Sequence, residues 1–432
     1  MTVTVFVASL LGAMALGMPI AYALLVCGLA LMGFMAATGM LPAFDSQILA
    51  QRFVDGADNF PLLAVPFFLL AGEFMNAGGL SRRIVNLAMA WVGHFRGGMG
   101  YVAVLAAVIM ASLSGSAVAD TAALSTLLIP MMRQAGYQVN RSAGLIAAGG
   151  IIAPVIPPSI GMIIFGVAGN VSITKLFLAG IVPGILMGAA IGLTWFFLAR
   201  KENVQAAPKV AMRERLRITS EGSLALLLPV VILGGMKFGV FTPTEAAVVA
   251  AVYSFVVGLF IYRELKVKDL YRLVLSAGKT TAVVMFLVAA AMVSAWLITV
   301  ANIPTEVANM LAPVAHNQTL LMLVIMVIII LVGTALDFTP TVLILTPVLM
   351  PVVIKAGIDP VYFGVMFIMN NAIGLITPPV GTVLNVVCGV ARISMDDAFK
   401  GVMPFFLAQL AVLFGLVLFP EVVLVPLQWL MR

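Results

Sequence analysis

The sequence predicts an all-α polytopic membrane protein built from two inverted repeats, each with a re-entrant hairpin and a discontinuous helix. Three observations predict it. Hydrophobic residues fill 63% of the 432 positions and charged residues only 9%, against about 25% charged in a soluble domain. So few polar groups cannot cover a surface that faces water, so lipid has to be the solvent. Residues 130–183 align with 351–404 without a gap, at one offset of 221. Pro130 falls on Pro351, Gly136 on Gly357, Gly180 on Gly401 and Pro183 on Pro404. In the same register Pro157-Pro158 fall on Pro378-Pro379, and adjacent prolines interrupt a helix. A duplicated hydrophobic half with breakers at matching places points to a secondary transporter whose site lies where the repeats meet.

The length allows about ten spans of ~20 residues. Backbone in hydrocarbon must satisfy its own hydrogen bonds, and the apolar runs are too long for barrel strands, so the spans are helices. The N-terminus has no Lys or Arg before its apolar run and reads as a first span, not a cleaved leader. Spans are expected at 3–17, 19–38 and 60–77, a re-entrant pair at 97–133, then helices near 140–168 and 175–199. The second half repeats the plan at 223–240, 243–262 and 278–301, with a re-entrant pair at 319–355 and helices near 359–390 and 402–428. Pro19 matches Pro243, and Ala64-Val65 match Ala282-Val283. The polar join from Ala199 to Glu221 reads as a basic linker on the membrane. It, the stretch 262–272 and the amphipathic segment 81–98 are all rich in Lys and Arg, whereas 302–318, the counterpart of 81–98, has neither. Placing the basic stretches on the cytoplasmic side inverts one half against the other. The amphipathic stretches after each third span are either helices in the interface plane or plain connections.

Chemistry concentrates in four segments. The first hairpin turns within 110–126, where Ser112, Ser114, Ser116, Thr121, Ser125 and Thr126 surround Gly115 and Asp120. A packing seam of small residues explains Ala and Gly there, but not this density of hydroxyls. A helix broken at Ser114-Gly115-Ser116 leaves carbonyls free at one end and N–H groups free at the next. Carbonyl and hydroxyl oxygens suit Na⁺, and helix N-termini suit a carboxylate. The second hairpin turns within 333–347, with Asp337, Thr339 and Thr341 as oxygen donors and Pro340 as breaker. No Lys or Arg lies between Lys279 and Lys355 to neutralise Asp337. A carboxylate at that depth costs ~2.5–3.5 kcal/mol and calls for a partner. Asp337 therefore serves as a cation ligand, as the N-cap of the next helix, or as both. The remaining two segments are the double-proline breaks, 149–159 and 374–382, whose unwound backbone is tolerated only beside protein or a water-filled cavity. Asn370, Asn371, Thr377, Thr382 and Asn385 add oxygens on the second side.

Other charges read as structural. Thr242-Pro243-Thr244-Glu245 fits a capping box, Ser394 begins a helix, and Glu73 anchors a helix end. Several function classes find no support in the residues. Cys27 and Cys388 lie in apolar spans, and His94 and His316 sit in loop-like stretches, so neither pair has metal spacing. No nucleophile–base cluster marks an enzyme, no charged rings mark a channel, and no basic aromatic face marks nucleic-acid binding. Gly278-Lys279-Thr280 lacks the upstream glycine of a phosphate loop, since position 273 is Leu, so an ion gradient rather than ATP is the energy source.

At these segments the chain resembles a known family. SLSGSAVADTAAL, GGIIAPVIPPS, DFTPTVLILTPVLMP and GLITPPVGTVLNV are similar to the signatures of the large membrane subunit of tripartite ATP-independent periplasmic (TRAP) transporters. The stretches VNRSAGLIAAGGIIAPVIPPS and FTPTEAAVVAA are most similar to permeases of sugar-acid systems. The resemblance implies an inverted-repeat elevator of the ion-transporter superfamily in a bacterial inner membrane. Residues 1–96 and 222–318 would be scaffold and arm, 97–199 and 319–432 the transport domain, and 200–221 the linker. It implies Na⁺-coupled import of an organic acid anion, a sugar acid or C4-dicarboxylate, with no nucleotide. A periplasmic binding protein would deliver the anion, and a separate small four-helix membrane subunit would buttress the scaffold. One Na⁺ would lie between Ser114, Ser116 and the loop carrying Gly150, Val155 and Pro157. Another would lie between Thr334, Asp337, Thr339 and the loop carrying Gly374 and Thr377. The substrate carboxylate would sit near Ser116, Thr341, Asn385, Pro158 and Pro379. The alternative is a stand-alone ion-coupled anion transporter or channel of the same superfamily.

Overall fold

In the computed structural model, which describes residues 1–41, 44–200 and 208–431, the chain is helical and has no strand among those residues. The first half runs α1 (Thr2–Ala15), α2 (Ile20–Ala37), α3 (Ser46–Ala57), α4 (Ala64–Ala77), α5 (Leu80–Val92), α6 (Gly98–Ser114), α7 (Ala117–Gln134), α8 (Val139–Gly150), α9 (Ile160–Gly169) and α10 (Ile173–Ala199). The second runs α11 (Met212–Lys237), α12 (Pro243–Val256), α13 (Val267–Val300), α14 (Ile303–Leu311), α15 (Gln318–Ala335), α16 (Phe338–Lys355), α17 (Pro360–Gly374), α18 (Thr382–Ala391), α19 (Met395–Leu418) and α20 (Glu421–Met431). Nine helices among the described residues are long and apolar enough to cross a membrane. Both hairpins and both interrupted helices fall where the breakers place them. The capping box at Thr242 forms with both of its reciprocal bonds, and Ser394 caps α19 by accepting from the Asp397 N–H at 3.2 Å.

Four elements differ from the sequence expectation. No span is expected between 38 and 60, but the 12-residue α3 lies there, too short and polar to read as one; Asp45 caps it through the N–H groups of Gln47 and Ile48. α13 runs 34 residues, where 278–301 was expected. In the first repeat α3 and α4, parted over residues 58–63, cover the same ground. The basic stretch 199–221 is only partly a linker. Residues 201–207 lie outside the described residues, but 212–221 are the opening turns of α11. Arg217 pairs there with Glu214 at 2.8 Å and with Glu221 at 3.5 Å, the i,i+3 and i,i+4 spacing that supports a helix. The terminal helix is divided at Phe419-Pro420 into α19 and α20.

Contacts give the relative direction of the halves. The rings of Tyr22 and Phe286 lie 5.1 Å apart, and Gly28 faces Val293 and Leu297, so α2 runs parallel to α13. Thr244 Oγ1 donates to the Phe60 carbonyl at 3.4 Å, and Gly78 meets Gly258, so α12 runs parallel to α4. Ser276 Oγ donates to Glu73 Oε1 at 2.7 Å, while Leu69 faces Thr280 and Val284 across one cavity, so α4 and α13 are antiparallel. α2 corresponds to α12, and α4 to α13, so the two repeats run in opposite directions and exchange partners. The same exchange holds inside: α7 packs on α18, and α16 on α9. Arg133 at the end of α7 donates to the carbonyl of Ala391 at 2.8 Å, tying the first hairpin to the second broken helix. α5 buries Leu80, Ile84, Val85, Leu87 and Ala88 against α6 and α11, while Arg82 and Arg83 meet Glu264.

Candidate functional site

The first hairpin reverses in two residues. Gly115 has φ +62°, and a Cβ there would lie 2.4 Å from the Pro158 carbonyl oxygen, so the tip seats directly on the first double-proline loop. Ser116 caps α7 by accepting from the Ala119 N–H at 3.4 Å. Ser114 Oγ donates to Asp120 Oδ1 and accepts from the Ser116 N–H at 3.2 Å. Asp120 and Thr121 are buried; Asp120 Oδ2, Thr121 Oγ1 and Ser125 Oγ have no partner among the described residues. Thr121 fills the space a side chain at Gly150 would need. Below the tip the chain is unwound over 151–159, with a cis Pro157-Pro158 bond. Ser159 Oγ donates to the Pro154 carbonyl at 2.5 Å and accepts from the Met162 N–H at 3.2 Å, which starts α9.

The second hairpin reverses at Leu336-Asp337. Asp337 holds the N-cap position of α16, but its carboxylate makes no capping bond. Instead its Oδ1 accepts from Thr382 Oγ1 at 3.3 Å, reaching across to the start of α18. Thr382 follows Gly381, at φ +43°, and the cis Pro378-Pro379 bond. Asn371 Nδ2 donates to the Phe338 carbonyl at 2.8 Å, and its Oδ1 has no partner among the described residues. A Cβ at Gly374 would lie 3.0 Å from the Gly333 oxygen, and the Val380 N–H donates to the Thr334 carbonyl at 3.4 Å. Hairpin and break are thus stitched together by backbone at their glycines.

The two tips face one cavity of about 220 Å³. Its wall includes Gly115, Ser116, Ala117 and Val118 of the first tip, Asp337, Phe338 and Thr339 of the second, and Ile160 and Gly161 of α9. Leu69 of α4, with Thr280 and Val284 of α13, lines the far side. Three helix N-termini, those of α7, α9 and α16, therefore open on the same space. Each offers unpaired N–H groups and the positive end of its dipole. The lining holds one charged side chain, Asp337, and no Lys or Arg.

Of the residues expected at the site, Ser116, Asp337 and Thr339 line this cavity. Ser114, Gly150 and Pro157 lie behind the first tip, and Thr334, Gly374 and Thr377 behind the second. Val155 points its carbonyl at Gly180 of α10. Thr334 Oγ1 and Thr377 Oγ1 each donate to a carbonyl of their own segment, which leaves their oxygen lone pairs free to accept. Thr341 and Asn385 are outside the cavity wall. Thr341 is one turn into α16, fully buried, and its hydroxyl donates to the Asp337 carbonyl at 2.9 Å. Asn385 is exposed and donates to the Val380 carbonyl at 2.7 Å. Pro158 and Pro379 are likewise not on the wall; Pro158 acts through its contact with Gly115. Missed by sequence reading were Leu69, Thr280 and Val284, which look like ordinary span residues, and the α9 N-terminus. The Ser159 cap after the double proline was the available signal for the last.

A cavity reached by hairpin tips and broken helices from two opposed repeats is the architecture of a membrane permease. The profile of the tripartite ATP-independent periplasmic transporter DctM component matches residues 7–422. Over 430 residues, and 100% of both chains, the sequence is 58% identical to the 2,3-diketo-L-gulonate TRAP transporter large permease protein YiaN of Escherichia coli K12. It is 56% identical over the same length to a putative TRAP transporter large permease protein of Haemophilus influenzae. The YdaH transporter of Alcanivorax borkumensis, solved by crystallography, has the same fold, with a TM-score of 0.66 at 16% identity, covering 95% of this chain and 98% of that one. The chain belongs to the TRAP transporter DctM family: it is a large permease, a multi-pass protein of a bacterial inner membrane, and not an enzyme.

Proposed function

We propose that this chain is the membrane-crossing subunit of a Na⁺-coupled, binding-protein-dependent importer of an organic acid anion, working by an elevator movement. The convergence of three helix N-termini on a cavity free of basic side chains carries the reading. Such a site attracts a carboxylate through fixed dipoles, each worth ~0.3–1 kcal/mol and up to ~2 when partly buried. It holds the anion without the fixed salt bridge that would slow release. The 2,3-diketo-L-gulonate assignment of the 58% identical relative favours a sugar acid as cargo, with C4-dicarboxylates the next class. Na⁺ supplies the charge that the cavity lacks. One ion is held behind the first tip by Ser114, Ser116 and the unwound loop from Gly150 to Pro157. A second is held behind the other tip by Asp337, the Asn371 oxygen and backbone oxygens of Thr334, Gly374 and Thr377. Each net charge carried inward gains ~2.3 kcal/mol per 100 mV. The moving body comprises the hairpins and broken helices, and α4 and α13 belong to the frame against which the cavity closes. A periplasmic binding protein delivers the anion, and a separate small four-helix membrane subunit braces the frame.

The test is uptake of labelled sugar acids into proteoliposomes containing the chain, the small subunit and the binding protein. Uptake should need an inward Na⁺ gradient and all three proteins, and should continue without ATP. Uptake driven by a proton gradient in Na⁺-free buffer would reject the ion assignment, and uptake without the binding protein would reject the delivery step.

A further inference from the structure

On the basic side of the molecule, a groove of about 450 Å³ lies where the α5–α6 joint meets the end of α10. Its walls are apolar: Val92, Phe95 and Tyr101 on one side, Phe196 and Ala199 on the other. Its rim carries two guanidiniums, Arg96 and Arg200. Arg200 stacks on the Phe196 ring at 4.1 Å, and Arg96 donates to the Arg200 carbonyl at 3.4 Å. Neither makes an ion pair with a carboxylate among the described residues. The two cations are thus held on one edge by a ring and a helix end, not by counter-charges. The joint behind them is rigid. Gly97, at φ +73°, packs so closely that a Cβ would lie 2.6 Å from that of Ala199. Trp195 Nε1 donates to the Gly97 carbonyl at 2.8 Å.

We propose that this groove binds an anionic phospholipid, its phosphate between Arg96 and Arg200 and an acyl chain along Phe95 and Phe196. Charge complementarity commits the occupant. Two guanidiniums match a phosphate diester, which they can grip bidentately. The apolar trough between them, at the end of a 27-residue apolar helix, suits hydrocarbon and nothing water-soluble. Basic pockets between membrane helices on the cytoplasmic side are where anionic headgroups collect. The bound lipid would bridge α5, α6 and α10 and stiffen the joint from outside.

The full chain, purified in detergent, is titrated with phosphatidylglycerol, with phosphatidylcholine of the same acyl chains, and with inorganic phosphate, following thermal unfolding. Phosphatidylglycerol should raise the melting temperature, and the other two should not. The double variant R96Q/R200Q should need roughly tenfold or more phosphatidylglycerol for the same shift. Arg272→Gln, which removes a charge elsewhere on the basic side, should respond as the unaltered chain does. A photoreactive phosphatidylglycerol on the unaltered chain, which needs no variant to fold, should label 92–101 and 196–200. Equal shifts with phosphatidylcholine or inorganic phosphate, an unchanged response of the double variant, or labels spread evenly over the lipid-facing helices would overturn the proposal.

Discussion

Asp337→Asn tests the ion site most directly. The amide keeps the size of the carboxylate and an oxygen for the Thr382 hydroxyl, now 3.3 Å away, and removes only the charge. A unit charge about 4 Å from a cation contributes about 4 kcal/mol at an effective dielectric constant near 20. Asp337 is part exposed, so roughly half of that, about 2 kcal/mol, is expected, equivalent to about 30-fold in Na⁺ affinity. Uptake into proteoliposomes measured against Na⁺ concentration should show half-saturation displaced upward by that factor. The same substitution should not harm the fold. A carboxylate at mid-membrane costs ~2.5–3.5 kcal/mol, and Asp337 has no ion pair among the described residues to compensate. In Na⁺-free buffer the variant should therefore melt no lower than the parent, while the protection given by Na⁺ shrinks. An unchanged Na⁺ half-saturation, or an equal loss of stability with and without Na⁺, would refute the reasoning.

Gly115→Ala should abolish uptake while leaving membrane insertion intact. The left-handed backbone costs about 1–2 kcal/mol for a side chain, and the Pro158 carbonyl leaves it no room, so the tip must lift; uptake and membrane-fraction yield measured together decide. Thr382→Val should weaken Na⁺ affinity only about fivefold, the worth of one hydrogen bond of about 1 kcal/mol, in the same uptake assay. Gly100→Ala should lower the melting temperature, because a Cβ there would overlap the Trp195 ring and overpacking costs about 1–3 kcal/mol. Glu264→Gln should loosen α5, since Glu264 bonds Arg83 at 2.7 Å beneath the Arg83–Tyr262 stack at 3.7 Å. The pair is part exposed, so about 1 kcal/mol is expected, read as faster hydrogen exchange in 80–92 than in α4.

The features legible in the sequence are those that act locally. Apolar runs mark spans wherever they fold, and Pro157-Pro158, Pro378-Pro379 and Gly115 interrupt helices whatever lies beside them. The capping box at Thr242 and the serine at 394 form from neighbours three residues apart. Elements that depend on context escaped. α3 is too short and polar to read as a span and is held by its packing on α13. The head of α11 looks like a linker until its charges are seen to pair along one helix face.

Composition and helix breakers alone make the chain membrane-embedded, doubled and broken at four matched places, because they need no partner to take effect. Which oxygens and N–H groups share a cavity is settled by the packing of the folded chain. Asp337 meets Thr382 across 45 residues, α9 adds a third N-terminus, Thr280 and Val284 line the far wall, and Thr341 turns to the Asp337 carbonyl. These outcomes follow from the register between opposed repeats, and that register is set by helix packing over distances no local pattern encodes.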